Sequence, residues 1–249
     1  MFPCTLEKPT EKRYNVRQTG GMDVKPFEKL PAPFQCKEVR PYYELLQKKA
    51  AGRVFKRIFD ILMSVVMLIF LLLPMLLIAV IVKATSKGHV FFRQERVTTY
   101  GRHFKIIKFR TMVENAEALG TQVTTDSDSR VTSIGRFLRK YRLDELPQVF
   151  NVLGGSMSIV GTRPEVPRYV DRYEKEYYAT LLLPAGITSL ASIMYKDEEK
   201  LLSSAEDADR VYMEQVLPKK MEYNLEYLKN FGFWSDIGLM FKTVKEVIS

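Results

Sequence analysis

The sequence predicts an α+β fold that is mostly helical, with a small sheet, a membrane helix near the N-terminus and amphipathic helices at a membrane interface. Residues 61–82 form a run of 22 side chains that are almost all apolar. In several later segments apolar residues recur every three or four positions, which is typical of helices. Two short segments, 90–93 and 104–109, have the aromatic and β-branched composition of strands.

The composition of the chain limits the classes of function that it can have. The chain has 249 residues, enough for one or two domains, and a net charge of +9. A basic balance suits anionic partners such as nucleic acid, anionic lipid or phosphorylated substrates. Two cysteines (Cys4 and Cys36) and two histidines (His89 and His103) exclude a disulfide framework, a cysteine zinc site and a multi-histidine metal site. The chain also lacks a P-loop and a GxGxxG motif.

The N-terminal region is predicted to be irregular. Residues 1–41 hold six of the twelve prolines, many charges and no helical period, so they indicate an extended or disordered cytoplasmic extension. We therefore divide the chain into an extension (1–50), a membrane segment (51–85) and a cytoplasmic domain (86–249).

The apolar run has the length of a membrane helix, since about 20 residues cross a bilayer. A buried helix of a soluble protein is the alternative, but 22 unbroken apolar residues favour the membrane. Positive residues flank both ends, for example Arg57 and Lys83, so charge gives no orientation. Both ends could lie on the cytoplasmic face if the segment turns back at Pro74. An ordinary span is the other interpretation, because membrane helices tolerate proline.

The remaining elements follow from local patterns. Residues 114–119 suggest a short helix, 121–128 a polar loop and 134–141 a basic amphipathic helix, and 166–177 and 217–228 have helical spacing. A last helix puts several apolar residues on one face, while Trp234, Lys242 and Lys245 lie off that stripe. This arrangement suits a helix in a membrane interface, although core packing is an equal alternative. The stripe comprises Phe233, Ile237, Met240, Phe241, Val244 and Ile248.

Two adjacent carboxylates, Asp144 and Glu145, form the main candidate site. They precede Pro147, which a helix accepts only in its first turn, and the apolar residues around them have helical spacing. The acids are thus expected near a helix N-terminus, where nearby Arg139 and Arg142 keep Asp144 ionised as a nucleophile or metal ligand. Simple capping of the helix is the alternative.

Several further motifs occur in order along the chain and give the acid pair a context. Together they resemble the bacterial sugar transferases known as monotopic phosphoglycosyl transferases, over about residues 53–248. The motifs are Lys56-Arg57-Ile-Phe-Asp60, Phe91-Phe-Arg-Gln94-Glu-Arg96, Phe104-Lys-Ile-Ile-Lys108-Phe-Arg110-Thr-Met112, Leu138-Arg139, Leu143-Asp144-Glu145-Leu146-Pro147-Gln148, Asn151-Val-Leu-Gly154 and Met157-Ser-Ile-Val-Gly161-Thr-Arg163-Pro164-Glu165.

The resemblance implies an enzyme that moves a sugar 1-phosphate from a UDP-sugar to polyprenyl (undecaprenyl) phosphate and releases UMP. Such enzymes begin the assembly of exopolysaccharide, capsule, O-antigen or glycoprotein glycans. Asp144 would be the nucleophile that forms a covalent phosphosugar intermediate, with Glu145 beside it, and both would hold Mg²⁺. Because every reactant is anionic, cationic side chains must gather around the phosphoryl group. The candidates are Lys108, Arg110, Arg139 and Arg163.

The resemblance also implies a location. The membrane segment would be a re-entrant helix bent at Pro74, anchored in the bacterial inner membrane with the catalytic domain on the cytoplasmic face. Membrane lipid is then a partner, a homodimer is a further expectation, and nucleic acid is not expected as a ligand.

The chain departs from the family pattern in three places. Leu73 stands where a serine usually precedes the proline, Thr162 replaces the first proline of a Pro-Arg-Pro motif, and Pro184 replaces an arginine in a segment that would contact the nucleotide sugar. A membrane-anchored basic adaptor without catalytic activity, binding anionic lipid or nucleic acid, explains the charge and the apolar run but not the acid pair. A different membrane enzyme with an ordinary span is a third alternative.

Overall fold

The computed structural model describes residues 25–116, 128–195, 202, 205 and 207–248. The fold of these residues is mostly helical, as predicted, and contains two small sheets where one was expected. The helices are α1 (Arg40–Lys48), α2 (Ala50–Thr85), α3 (Ser133–Lys140), α4 (Gln148–Leu153), α5 (Pro167–Val170), α6 (Leu190–Met194), α7 (Ala208–Val211), α8 (Leu217–Lys229) and α9 (Phe233–Ile248). The strands are β1 (Phe91–Thr98), β2 (Arg102–Phe109), β3 (Met157–Val160) and β4 (Ala185–Thr188).

The two sheets are each a pair of strands. β1 and β2 form an antiparallel hairpin in which Phe91 pairs with Phe109 and Thr98 with Arg102. The strands predicted at 90–93 and 104–109 are therefore confirmed and extend further than expected. β3 and β4 pair in parallel, with Met157 opposite Ala185.

Residues 25–48 contain more regular structure than the extended or disordered extension predicted for residues 1–41. They form two short 3-10 turns, Phe27–Lys29 and Ala32–Phe34, followed by α1, and their side chains enter the main hydrophobic core. The prolines misled the prediction because they start structure here: Pro26 and Pro31 precede the 3-10 turns and Pro41 lies in the first turn of α1. The residues buried in the core from this segment are Leu30, Phe34, Cys36, Val39, Tyr42, Tyr43 and Leu46.

Helix α2 carries the apolar run. It has 36 residues, which corresponds to about 54 Å, and it continues through Pro74. The segment is thus one helix rather than two helices joined by a turn. It is long and apolar enough to cross a membrane, and only 11% of its most apolar window is buried. Its buried residues lie on one side of the helix: Arg53, Lys56, Asp60, Ser64, Met75 and Val82.

A buried network of charges fixes the N-terminal half of α2. Lys56 Nζ lies 2.6 Å from Asp236 Oδ2 of α9 and 3.8 Å from Asp60 Oδ1. Asp60 in turn accepts hydrogen bonds from Ser158 Oγ (2.7 Å) and the Ile159 amide (3.2 Å) of β3. We call Lys56, Asp60, Ser158 and Asp236 the α2 latch. It joins the apolar helix to the strand that leads into the candidate site.

The C-terminal half of α2 packs on the same domain. Its apolar side chains Met75 and Val82 lie in a buried cluster with Phe109 and Leu138. Arg110 Nη2 donates hydrogen bonds to Ser86 O (2.8 Å) and Ser86 Oγ (2.7 Å) just beyond the helix. Both ends of the apolar run therefore contact one folded unit.

Helix α9 is amphipathic, but its faces differ from the predicted ones. Phe241 and Val244, which were expected on one stripe with Phe233, are exposed, and Phe241 is 73% exposed. They share the outer face with Trp234, which is 81% exposed, whereas Leu239 and Asp236 face the domain. Part of the predicted apolar stripe is therefore exposed, and Trp234 lies beside it, because the buried carboxylate of Asp236 occupies the face that packs on the domain.

The other predicted helices have mixed outcomes. The helices at 134–141 and 217–228 are confirmed as α3 and α8. The spacing in 166–177 corresponds only to the short helix α5, after which the chain forms a 3-10 segment, Lys175–Leu182. Most of the predicted helix at 114–119 and the loop at 121–128 lies outside the described residues.

Candidate active site

Three elements bring charged side chains to one place. β2 carries Lys108 near its end, and a 3-10 turn, Leu143–Glu145, carries Asp144 and Glu145. β3 leads into the segment that carries Arg163. Arg142, just before the turn, has a left-handed backbone (φ 52°), a conformation that costs about 1 kcal/mol or more for a residue other than glycine. This strained residue reverses the chain after α3 and directs both acids inward.

Glu145 is the centre of the charge cluster. Its Oε1 accepts hydrogen bonds from Lys108 Nζ (2.8 Å) and Arg163 Nη2 (2.7 Å), and its Oε2 lies 3.4 Å from Arg163 Nη1. Glu145 is 7% exposed, so water screens these contacts little. The carboxylate therefore holds the two cations in fixed positions.

Asp144 is equally buried but less paired. Among the described residues its nearest cationic nitrogen is Lys108 Nζ, 4.0 Å from Oδ2. Its carboxylate is thus left available for another partner, while Glu145 already has two. The two adjacent acids have different surroundings and are suited to different tasks.

The pKa values of the two acids separate accordingly. Burial raises the pKa of Asp144 above its ordinary value, and this effect outweighs the opposing influence of Lys108. Burial also raises the pKa of Glu145, but Arg163 and Lys108 together hold it well below its usual range. Arg139 lowers the pKa of Asp144, as the sequence suggested, but burial has the larger and opposite effect. A carboxylate with a raised pKa is also the more basic and more nucleophilic of the pair.

Of the other predicted phosphate-binding residues, Arg139 is near the site and Arg110 is not. Arg139 Nε donates to Thr111 Oγ1 (2.9 Å), and its charge also acts on Asp144. Arg110 points to Ser86 at the end of α2. Lys108 and Arg110 are two positions apart and would share a face if the strand continued, but β2 ends at Phe109 and the alternation ends with it.

The sequence suggested that the two acids lie near the N-terminus of a helix, but the structure places them elsewhere. They occupy a separate 3-10 turn, and Pro147 caps α4 from outside rather than standing within it. The apolar positions at helical spacing span both elements, which is why they suggested one helix.

Two supporting residues could not be inferred from the sequence. Arg57 of α2 donates to Val152 O (2.6 Å) and Leu153 O (3.1 Å), capping the C-terminus of α4. Asn151 bonds the Ile107 amide (3.0 Å) and ties α4 to β2. Both residues occur in the recognised motifs, but only the fold reveals that they hold the acid pair and Lys108 together.

The arrangement is suited to phosphoryl chemistry. One carboxylate with few partners stands beside a carboxylate that fixes two cations, and Arg139 adds a third positive charge nearby. Fixed cations of this kind stabilise the charge that develops on a phosphoryl group in transfer.

Comparison with known proteins places the chain among sugar transferases. The family model described as bacterial sugar transferase matches residues 51–249. A UDP-N-acetylgalactosamine-undecaprenyl-phosphate N-acetylgalactosaminephosphotransferase of Aeromonas hydrophila is 39% identical over 197 residues, covering 78% of this chain and 44% of that protein. A UDP-glucose:undecaprenyl-phosphate glucose-1-phosphate transferase of Xanthomonas campestris pv. campestris is 39% identical over 176 residues, covering 69% of this chain and 34% of that protein.

The name of a more distant relative contains a third sugar, galactose. The undecaprenyl-phosphate galactose phosphotransferase of Salmonella typhimurium is 34% identical over 221 residues, covering 80% of this chain and 42% of that protein. The chain thus spans less than half the length of these relatives. Their names differ in the sugar and agree on undecaprenyl phosphate.

Proposed function

The chain belongs to the bacterial sugar transferase family, and we propose that it transfers a sugar 1-phosphate from a UDP-sugar to undecaprenyl phosphate. The observation that carries the proposal is that Asp144 and Glu145 differ in their contacts with cationic side chains. Glu145 is held by Lys108 (2.8 Å) and Arg163 (2.7 Å), whereas the carboxylate of buried Asp144 beside it lies 4.0 Å from Lys108. This is the arrangement that a nucleophile needs next to a site for phosphoryl oxygens.

The proposed reaction has two steps. An Asp144 oxygen attacks the phosphorus that bears the sugar, the bond from that phosphorus to the UMP oxygen breaks, and UMP leaves. An oxygen of undecaprenyl phosphate then attacks the same phosphorus, and the Asp144 carboxylate is released as the leaving group. Lys108 and Arg163 balance the charge on the phosphoryl oxygens in both steps, so that two substrates use one site in turn.

Mg²⁺ is part of the proposal. Magnesium sites in proteins often use one or two carboxylates together with substrate phosphate oxygens. Asp144 fits this role because it has few partners, whereas Glu145 already neutralises two cations. Bound Mg²⁺ would neutralise charge on the diphosphate and assist departure of UMP.

We further propose that α2 enters one leaflet and keeps both ends on the cytoplasmic face of the inner membrane. Arg57 caps α4 and Arg110 follows β2, and Asn151 joins these two elements directly. A hydrocarbon core about 30 Å thick does not fit between elements that are hydrogen-bonded to each other. The exposed apolar face of α9 is suited to the same interface.

A release assay tests the proposed function. The full chain in detergent or vesicles is incubated with undecaprenyl phosphate and, in turn, UDP-N-acetylgalactosamine, UDP-glucose and UDP-galactose. With Mg²⁺ we expect UMP from at least one donor together with a lipid-linked diphosphosugar, and with EDTA we expect no release. Binding of undecaprenyl phosphate without release of UMP would instead support the alternative of a membrane-anchored adaptor without catalytic activity. Full activity in EDTA would contradict the proposed role of Mg²⁺.

Thiol labelling tests the topology. Single cysteines are placed at exposed Lys48 and Lys87 on either side of α2, in a chain with Cys4→Ser and Cys36→Ala. Because both positions are expected in the cytoplasm, a membrane-impermeant reagent should label neither in intact cells and both after lysis. Labelling of one position from outside would show that the helix crosses the membrane.

A further inference from the structure

A second buried charge cluster lies close to the proposed site. Glu165 is 5% exposed, and its Oε1 accepts a hydrogen bond from Tyr212 Oη (2.8 Å). Lys220 Nζ donates to the same Tyr212 Oη (3.0 Å) and lies 3.4 Å from Glu165 Oε1. We call Glu165, Tyr212 and Lys220 the Glu165 cluster. Its members are buried, and none takes part in the two proposed steps.

The cluster is held rigidly. Tyr212 begins a π-helical turn, Tyr212–Val216, that leads into α8. Such turns are rare, and they occur frequently at functional sites. The Tyr212 ring stacks on Tyr169 with 4.6 Å between centroids, and Lys220 Nζ lies 5.0 Å from the centre of the Tyr212 ring. The tyrosine hydroxyl is therefore fixed in one position.

The Glu165 cluster is linked to Arg163 through the backbone, with one residue between Glu165 and Arg163. Glu165 follows Arg163 by two residues, with a conformationally restricted proline, Pro164, between them. β1 holds the backbone of this segment, since Val97 N donates to Glu165 O (3.0 Å) and Arg96 Nη1 donates to Pro164 O (3.0 Å). The segment after Arg163 is thus fixed by its backbone on one side and by the Glu165 side chain on the other.

The charge of Glu165 also affects the surroundings of Arg163. Burial raises the pKa of Glu165, but Lys220 and Arg96 bring it below its ordinary value, so the carboxylate stays ionised. An ionised Glu165 offsets the charge of buried Lys220 and of half-buried Arg96, and Arg96 is close enough to Arg163 for the two cations to repel each other. Replacing Glu165 would alter both the position and the electrostatic surroundings of Arg163.

We infer that the Glu165 cluster positions Arg163 for the phosphoryl group, an inference that rests on the proposed function. Glu165, Tyr212 and Lys220 are positioning residues, because they act on the substrate only through Arg163. Displacement of a group by about 1 Å can lower a rate by up to about 10²-fold, so a small shift of Arg163 has a measurable effect.

Tyr212→Phe is the sharpest test, because it keeps the ring stacking and removes only the hydroxyl. With the UDP-sugar that the panel identifies, we expect kcat to fall about 10-fold while KM changes by less than about twofold, as for a group that acts in the transition state. Tyr178→Phe is the matched control. It removes a hydroxyl that bonds Val170 O at 3.4 Å, away from Arg163, and should leave kcat unchanged.

A double-mutant cycle separates positioning from a general structural role. Arg163→Lys is combined with Tyr212→Phe, and single-turnover UMP release is followed so that slow variants remain measurable. If the cluster acts through Arg163, Tyr212→Phe should cost little further rate in the Arg163→Lys background. The same 10-fold loss in both backgrounds, or a Tyr212→Phe protein as fast as the unmodified one, would overturn the inference. Absence of UMP release by the unmodified protein would instead contradict the proposed function, and the inference with it.

Discussion

Replacing Asp144 by asparagine is expected to lower transfer at least about 10³-fold, the scale of effect seen when a nucleophile is removed. The amide is nearly the same size as the carboxylate, so Lys108 and Arg163 stay in place on Glu145. It lacks the negative charge and cannot form an acyl phosphate. UMP release measures the rate, and mass spectrometry of protein incubated with the UDP-sugar alone detects the phosphosugar adduct.

A matched control distinguishes the nucleophile from a general charge effect. Asp171 is an exposed carboxylate beyond α5, and Asp171→Asn removes the same charge without touching the site. We expect this variant to form the adduct and release UMP at the unmodified rate. Adduct formation by Asp144→Asn at a comparable rate would show that another residue is the nucleophile.

Replacing Lys56 by methionine is expected to have the largest effect on stability. The substitution keeps the length of the side chain but leaves Asp236 and Asp60 buried without the cation between them. Breaking a buried ion pair by removing one partner typically costs about 3–5 kcal/mol. Thermal unfolding in detergent should show a drop in Tm of roughly 6–20 °C, since each kcal/mol corresponds to about 2–4 °C for a protein of this size.

The control for this variant is Lys48→Met, which removes an exposed lysine from α1. Its effect on the free energy of unfolding should stay within about 0.5 kcal/mol, as for most surface substitutions. If Lys56→Met unfolded at the same temperature as this control, the α2 latch would contribute nothing measurable.

The sequence predicted those parts of the fold whose pattern is local. Parts of β1 and β2 were predicted from composition, although their pairing was not, and α3 and α8 follow from helical spacing. Residues 25–41 were misjudged because prolines that begin turns resemble prolines that prevent structure. Arg110 bonds Ser86 at the end of α2, which could not be foreseen because a motif gives spacing along the chain but not the residue at which a strand ends.

The candidate active site could be predicted only in part from the sequence, for a related reason. The order of the motifs pointed to Asp144, Glu145, Lys108 and Arg163, and the structure brings these four together. The division of roles between the two acids depends on which carboxylate the cations reach, and this follows from packing. Contacts between distant segments, such as Lys56 with Asp236, leave no periodic signal in a single sequence.

The α2 latch has a consequence for biosynthesis. Lys56 and Asp236 are about 180 residues apart, and a ribosome that adds roughly 5–20 residues per second needs about 10–35 s to make that stretch. For most of this interval α2 has been synthesised, but Lys56 has no α9 with which to pair. Under the proposed topology, entry of α2 into the leaflet therefore precedes docking of the helix on its own domain. A chain that terminated before α9 would carry an intact membrane helix with Lys56 lacking Asp236, and we expect membrane proteases to remove it.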